Sequence, residues 1–176
     1  MKKHPYTITV VTTLCLVVLD QITKLLAVRH LTTIITPQGP TGIKHEVTLI
    51  NDFLYFTLHY NEGASWGLFP GRLTFFIIIT LLALAVFIYL AKDTDFEHKP
   101  LYSLAIPLLI AGATGNFIDR ITPFISDMGY VVDMIDVLIF NWDFPIFNVA
   151  DMALTIGWIA LAFDLVFLDH RRVDAL

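Results

Sequence analysis

Phe144-Pro145-Ile146-Phe147-Asn148-Val149-Ala150-Asp151 opens the last apolar run of the chain, which continues Met152-Ala153-Leu154-Thr155-Ile156-Gly157-Trp158-Ile159. In water, Asn148 and Asp151 would read as a helix N-cap and a first-turn acid. In hydrocarbon the same pair carries more weight. An acid at the edge of a bilayer is costly and calls for a partner or a task. Which solvent applies is decided by composition. Of 176 residues, 56% are hydrophobic and 15% charged, against roughly 45–50% and about 25% for an average soluble domain. Mean hydropathy is +0.71, and the chain is expected to be an integral membrane protein.

Four stretches are long enough to cross about 30 Å of hydrocarbon: residues 6–26, 73–91, 101–118 and 148–168. The first follows Lys2-Lys3-His4 and lacks a small-residue cleavage site, so it reads as an uncleaved span. Pro107 in the third is tolerable in a membrane helix. Residues 27–72 and 119–147 are then long loops. Within them, Val47-Thr48-Leu49-Ile50, Phe53-Leu54-Tyr55-Phe56-Thr57-Leu58-His59-Tyr60 and the stretch from Gly129 to Phe140 have the β-branched and aromatic content of strands. Pro37-Gln38-Gly39-Pro40-Thr41-Gly42 is turn chemistry. The expected fold is a membrane all-α core of four helices with a small β part at the membrane surface, in a single domain over 1–176.

Lys2, Lys3, Lys92, Lys99, Arg171 and Arg172 fall in the tails and the short link between spans two and three, whereas the long loops hold only Arg29, Lys44, Arg72 and Arg120. Positive charge collects on the cytoplasmic side, so both termini are expected inside and both long loops outside. Asp20 and Lys24, then Asn116, Asp119 and Arg120, then Asn148 and Asp151 all fall at the outer ends of their spans. Their i, i+3 and i+4 spacings put each set on one helical face. Asp133 lies in the outer loop that feeds span four. Polar groups far apart in sequence thus converge on one membrane boundary. Asp164 falls at the other end and is given no catalytic role.

The remaining signals point to packing or to nothing. A net charge of −5 with no basic patch gives no support to nucleic-acid binding. Cys15, the only cysteine, permits no intrachain disulfide and reads as a small buried hydrophobe. The six histidines have no metal-ligand spacing, and no metal or cofactor is expected. Gly63-Ala64-Ser65-Trp66-Gly67 matches a hydrolase G-x-S-x-G by letter without the strand–turn–helix context or a later outer histidine. Ala111-Gly112-Ala113-Thr114-Gly115 is a small-residue face for close helix packing.

In order along the chain, Asp20-Gln21-Ile22-Thr23-Lys24, Asn61-Glu62-Gly63-Ala64-Ser65-Trp66, Gly115-Asn116-Phe117-Ile118-Asp119-Arg120, Val131-Val132-Asp133-Met134 and Phe147-Asn148-Val149-Ala150-Asp151 resemble the D-x-x-[ST]-K, N-x-G-A-A-F, G-N-x-x-D-R, V-V-D-[FM] and F-N-x-A-D blocks of the lipoprotein signal peptidase (signal peptidase II) family. Ser65 and Trp66 stand where that pattern has Ala and Phe, and the loops 32–46 and 121–130 are longer than is typical. The resemblance implies a membrane aspartyl endopeptidase with Asp133 and Asp151 as its catalytic pair. Asp20, Lys24, Asn61, Gly63, Asn116, Asp119, Arg120 and Asn148 become substrate-binding or supporting positions. It further implies an external β-cradle and a mobile surface helix, a monomer in the bacterial inner membrane, and inhibition by globomycin. The implied substrate is a prolipoprotein carrying diacylglycerol on its lipobox Cys and cut before that residue.

Two carboxyls cleave a peptide when one is ionised to take a proton from water and the other protonated to give one. The first-turn position of Asp151 suggests it as the resting carboxylate, with Asp133 as its protonated partner. Arg120 is expected to pair with Asp119, and the carboxamides of Asn116 and Asn148 to hold peptide backbone. A transporter whose acids line an ion path and a non-catalytic lipoprotein scaffold are the competing readings. The absence of acids from span two and from the middle of span three argues against the first, and the intact Asp133 and Asp151 against the second.

Overall fold

The computed structural model describes residues 5–31, 33–36, 39–44, 47–63, 72–122, 129–140 and 142–168. Four helices dominate: α1 Pro5–His30, α2 Leu73–Leu90, α3 Pro100–Ile121 and α4 Val149–Phe163. A 3-10 turn, Ala91–Asp93, extends α2, and a π-helical turn, Asp164–Leu168, extends α4. Pro5 and Pro100 open their helices, where a missing N–H costs nothing. The first helix runs one turn further than the expected span and ends on Arg29 and His30, cations that suit a helix C-terminus.

α2 decides the solvent. Only 6% of its apolar window is buried, with Leu82, Ile88 and Tyr89 each more than 60% exposed. A helix apolar all round and exposed over most of its surface belongs in hydrocarbon. With three further helices long and apolar enough to cross, this is a multi-pass membrane protein. Cys15 follows the same logic: it is exposed on α1, not buried as expected, because a thiol is apolar enough to face lipid.

The chain forms two compact units. The first comprises 1–19, 79–115 and 149–176. Its core is Phe87, Tyr102, Ala105, Ile106, Leu109, Ala113 and Leu161, mostly from α3. Small residues let α3 and α4 touch. A Cβ on Gly112 would collide with the Ala150 carbonyl and the Leu154 side chain, and one on Gly157 would meet Leu109 Cγ at 2.9 Å. The small-residue stretch read from sequence thus serves packing. Thr13 Oγ1 donates to the Pro107 carbonyl at 3.4 Å, tying α1 to α3. Asp164 is buried at the start of the π-helical turn.

The second unit comprises 20–78 and 116–148. Strands β3 Val47–Ile50, β4 Leu54–Asn61, β5 Val131–Ile139 and β6 Trp142–Asp143 form an antiparallel sheet in that order. Ala27 and Leu31 form a buried cluster with Leu58 of β4 and Val132 and Met134 of β5. A separate antiparallel ribbon, β1 Thr33–Thr36 with β2 Gly39–Lys44, occupies the stretch read as a turn and long loop. Pro40 is admissible there because a two-stranded ribbon has only edges. In β4 the register passes from Phe56↔Ile135 to His59↔Asp133, so a bulge inserts one residue. Thr57 and Leu58 are consequently both buried, which simple alternation forbids.

Asp95 closes the link between α2 and α3 by accepting from the Glu97 and His98 amides at 3.0 and 3.1 Å and from His98 Nδ1 at 2.8 Å. The His98 side-chain bond holds the Asp95 carboxyl below its usual range, and the same bond raises the His98 imidazole above 6.5. The imidazole's contribution is complete below its unfolded value and is lost as pH rises through the folded one. The carboxylate's is present at neutral pH and lost in acid. In an NMR titration His98 is expected to deprotonate above the ordinary imidazole range, and Asp95→Asn to bring it back. An unchanged midpoint in that variant contradicts the pairing.

Candidate active site

Lys24 is the buried charge around which the second unit's polar groups gather. One turn beyond Asp20 on α1, its side chain is 0% exposed, which no unpaired ammonium could tolerate. Nζ lies 2.9 Å from Asp20 Oδ2, 2.8 Å from Asp119 Oδ2 and 3.1 Å from Asn116 Oδ1. Three N–H donors meet three acceptors. The i, i+3 spacing of Asn116 and Asp119 turns both toward α1. Gln21, absent from the sequence-based candidates, donates to Asp20 Oδ2 at 3.1 Å and Asp119 Oδ1 at 3.0 Å. Its position inside the Asp20–Lys24 block was the available signal.

From Lys24 the network runs into β5. Asp119 Oδ2 also accepts the Val132 backbone N–H at 3.2 Å, fixing the strand one residue before Asp133. Asn116 Oδ1, already on Lys24, accepts from Asn148 Nδ2 at 3.1 Å. Asn148 Nδ2 in turn donates to Asp133 Oδ1 at 2.7 Å and lies 3.3 Å from the Val132 carbonyl. The other oxygen, Asp133 Oδ2, accepts from Asn61 Nδ2 at 3.0 Å. Asp133 is 1% exposed, with a carboxamide on each oxygen. Its carboxyl plane is set by groups that carry no charge themselves.

Asn61 also shapes the segment beyond β4. Its Oδ1 accepts the Gly63 N–H at 2.9 Å, and Arg120 donates to the Gly63 carbonyl at 3.2 Å and to the Asn116 carbonyl at 3.4 Å. Arg120 lies over the Phe76 ring at 4.8 Å. The expected Asp119–Arg120 pair is replaced by Asp119–Lys24, because consecutive helical residues point in different directions. The carboxamides of Asn116 and Asn148 are likewise turned to Lys24 and Asp133.

Asp20, Lys24, Asn61, Gly63, Asn116, Asp119, Arg120, Asp133 and Asn148 therefore meet in the second unit, through the contacts given above. Asp151 lies in the first unit, in the first turn of α4, three residues after Asn148. Residues 64–71, and with them most of the G-x-S-x-G match, lie outside the described residues, as do 123–128 of the loop 121–130. Sequence reading missed two further side chains. His59 stands opposite Asp133 in the β4–β5 register, and Thr57 Oγ1 donates to buried Asp136 at 2.9 Å.

Residues 12–167 match the family model of signal peptidase (SPase) II. The chain is 43% identical over 174 residues to the lipoprotein signal peptidase of Staphylococcus carnosus strain TM300, covering 97% of this chain and 98% of that one. It is 42% identical over 156 residues to that of Staphylococcus haemolyticus strain JCSC1435, covering 89% of each. Two solved bacterial membrane enzymes, determined by the in meso method at 2.3 and 1.9 Å, superpose with TM-scores of 0.76 and 0.74 at 38% and 37% identity. They cover 91% and 92% of this chain, and 88% and 94% of their own.

Taking one carboxylate from the Lys24 cluster leaves the ammonium short of a partner. Breaking a buried pair from one side costs about 3–5 kcal/mol. Asp119→Asn should accordingly lower the thermal unfolding midpoint of the purified protein in detergent by several degrees. An unaltered midpoint contradicts the reading of Lys24 as a buried, saturated charge.

Proposed function

The chain belongs to the signal peptidase II family, and from that premise we propose how its side chains remove signal peptides from prolipoproteins. It is a peptidase, a hydrolase, of the aspartic type. Family membership does not favour the transporter or scaffold readings. In our reading both compact units belong to one peptidase domain, since the family match runs through elements of each. Asp133 and Asp151 are the catalytic pair. The observation that carries the assignment is the treatment of Asp133: buried, with one carboxamide N–H on each oxygen, and fixed through Asn148 to the buried Lys24 network.

The chemistry needs two carboxyls and one proton between them. The ionised member takes a proton from the attacking water while the protonated member supports the scissile carbonyl oxygen and then protonates the leaving amine. Asp133 faces two N–H donors, and Asp151 lies in the first turn of a helix. The single proton is assigned to the pair rather than to one named member. Asn61, Asn116 and Asn148 position Asp133. Asp20, Lys24 and Asp119 position the asparagines and β5. Arg120 holds the segment at Gly63.

The substrate in this reading carries diacylglycerol on its lipobox Cys, and the bond cut precedes that residue. A lipid-bearing Cys stays at the membrane surface, where a site at the outer ends of the spans can reach it. The Lys/Arg distribution supports cytoplasmic termini and an outward-facing site in the bacterial inner membrane. The enzyme acts as a monomer without a cofactor, and a globomycin-type inhibitor would occupy the same site.

The test is cleavage of a diacylglyceryl-modified lipobox substrate followed by gel shift, with the unlipidated form alongside. Asp133→Asn and Asp151→Asn, checked for accumulation in the membrane, should each lose at least about a hundredfold in rate, the scale of general acid–base catalysis. A near-parental rate in either variant removes that residue from the pair. Equal cleavage of the unlipidated substrate removes the lipid requirement.

A further inference from the structure

We infer that Thr57 is a positioning residue: its hydrogen bond to Asp136 pins the bulge in β4, and the bulge aims Asn61 at Asp133. The inference rests on the reading of Asp133 as catalytic. It starts from a mismatch of spacing. Asn61 Nδ2 donates to Asp133 Oδ2 at 3.0 Å, and Thr57 Oγ1 donates to Asp136 Oδ2 at 2.9 Å. Asp133 and Asp136 are three residues apart on β5, so they point to opposite faces of the sheet. Thr57 and Asn61 are four apart on β4, and in a regular strand they would share one face. Both bonds form because β4 carries one extra residue between them.

The register shows where that residue goes. Residues directly opposite in an antiparallel pair share a face. Before the bulge Tyr55 pairs with Asp136 and Phe56 with Ile135; after it His59 pairs with Asp133 and Asn61 with Val131. Continuing the first register would set Leu58 opposite Asp133 and Tyr60 opposite Val131, with Asn61 turned to the far side. A slip of one residue exchanges the two faces of a strand, and here it delivers Asn61 to the face of Asp133. Thr57 stands at the step. It follows Phe56 directly and is 0% exposed, and Asp136 is 7% exposed. With its hydroxyl on Asp136, Thr57 keeps to the face of Tyr55, so the extra residue is taken up at 57–58, before Asn61 is reached. The Gly63 N–H occupies Asn61 Oδ1 at 2.9 Å, which leaves Nδ2 for Asp133. Asp136 has no part in the proton transfers proposed above, and this bond gives the buried acid a task. Bulges that re-aim a side chain recur beside active sites.

The experiment measures kcat and KM on the lipidated substrate for the full chain in detergent micelles. Native enzyme is compared with Thr57→Val, Thr57→Ser, Asn61→Ala and the Thr57→Val, Asn61→Ala double variant, with Asp133→Asn in parallel. Val keeps the shape of Thr and removes the hydroxyl. Thr57→Val should lower kcat about tenfold, the scale of one hydrogen bond to a carboxylate, and leave KM nearly constant. Thr57→Ser, which retains the hydroxyl, should restore most of that loss. In the Asn61→Ala background Thr57→Val should cost little further kcat, because the side chain it aims is gone. A merely structural threonine lowers kcat by the same factor in both backgrounds. That outcome overturns the inference, as does a native kcat in Thr57→Val. If Thr57→Val does not accumulate in the membrane, Asp136→Ala removes the same bond from the other side, and the same cycle with Asn61→Ala decides. Activity retained in Asp133→Asn would instead sink the catalytic assignment beneath it, a separate failure.

Discussion

A buried ammonium with three acceptors is the constraint on which the second unit depends. Lys24 has no exposed surface, and its charge survives there because Asp20, Asp119 and Asn116 each present an oxygen within 3.1 Å. An isolated ammonium in an apolar interior would shed its proton or unfold its surroundings. With three partners it becomes a rigid junction, because movement of any one strands the others. α1 and α3 are fastened together at this point.

The fastening matters because its outer members reach the carboxyl. Asp119 spends one oxygen on the Val132 N–H, so the strand carrying Asp133 is set by the same carboxylate that balances Lys24. Asn116 divides one oxygen between Lys24 and Asn148, and Asn148 hands the constraint to Asp133 at 2.7 Å. Hydrogen-bonded chains of this kind hold geometry better than isolated pairs, and a buried network with every member satisfied specifies one arrangement. Among the described residues no buried side-chain nitrogen or oxygen lacks a partner. A proteolytic centre has reason for such rigidity, since small displacements of a reacting group cost large factors in rate.

Much of this is legible in the sequence. Helical spacing put Asp20 with Lys24, and Asn116 with Asp119, on shared faces, and both sets meet as the period requires. The β-branched and aromatic runs at 47–50, 53–60 and 129–140 point to strands, which the structure places at 47–50, 54–61 and 131–139. What stayed hidden depends on register or on neighbours distant in sequence. The ribbon at 33–44 was obscured by Gly39 and Pro40, residues that signal a turn unless the strand is an edge. The bulge in β4 leaves no mark in composition, so His59 read as one more strand residue. Arg120 was assigned to the wrong partner because adjacency in sequence is not adjacency on a helix. Cys15 was misplaced because a lipid-facing surface inverts the usual meaning of exposure.

The claim that Asn116 and Asn148 act as one path to Asp133 is tested most directly by a double-mutant cycle on kcat. Asn116→Ala, Asn148→Ala and the double variant would be assayed at saturating lipidated substrate, with KM recorded. One path predicts strong non-additivity: the double variant should lose little more in kcat than the worse single variant, with KM nearly constant. Losses in kcat that multiply would mean that the two carboxamides act independently, and would contradict the account of a single network aiming the carboxyl.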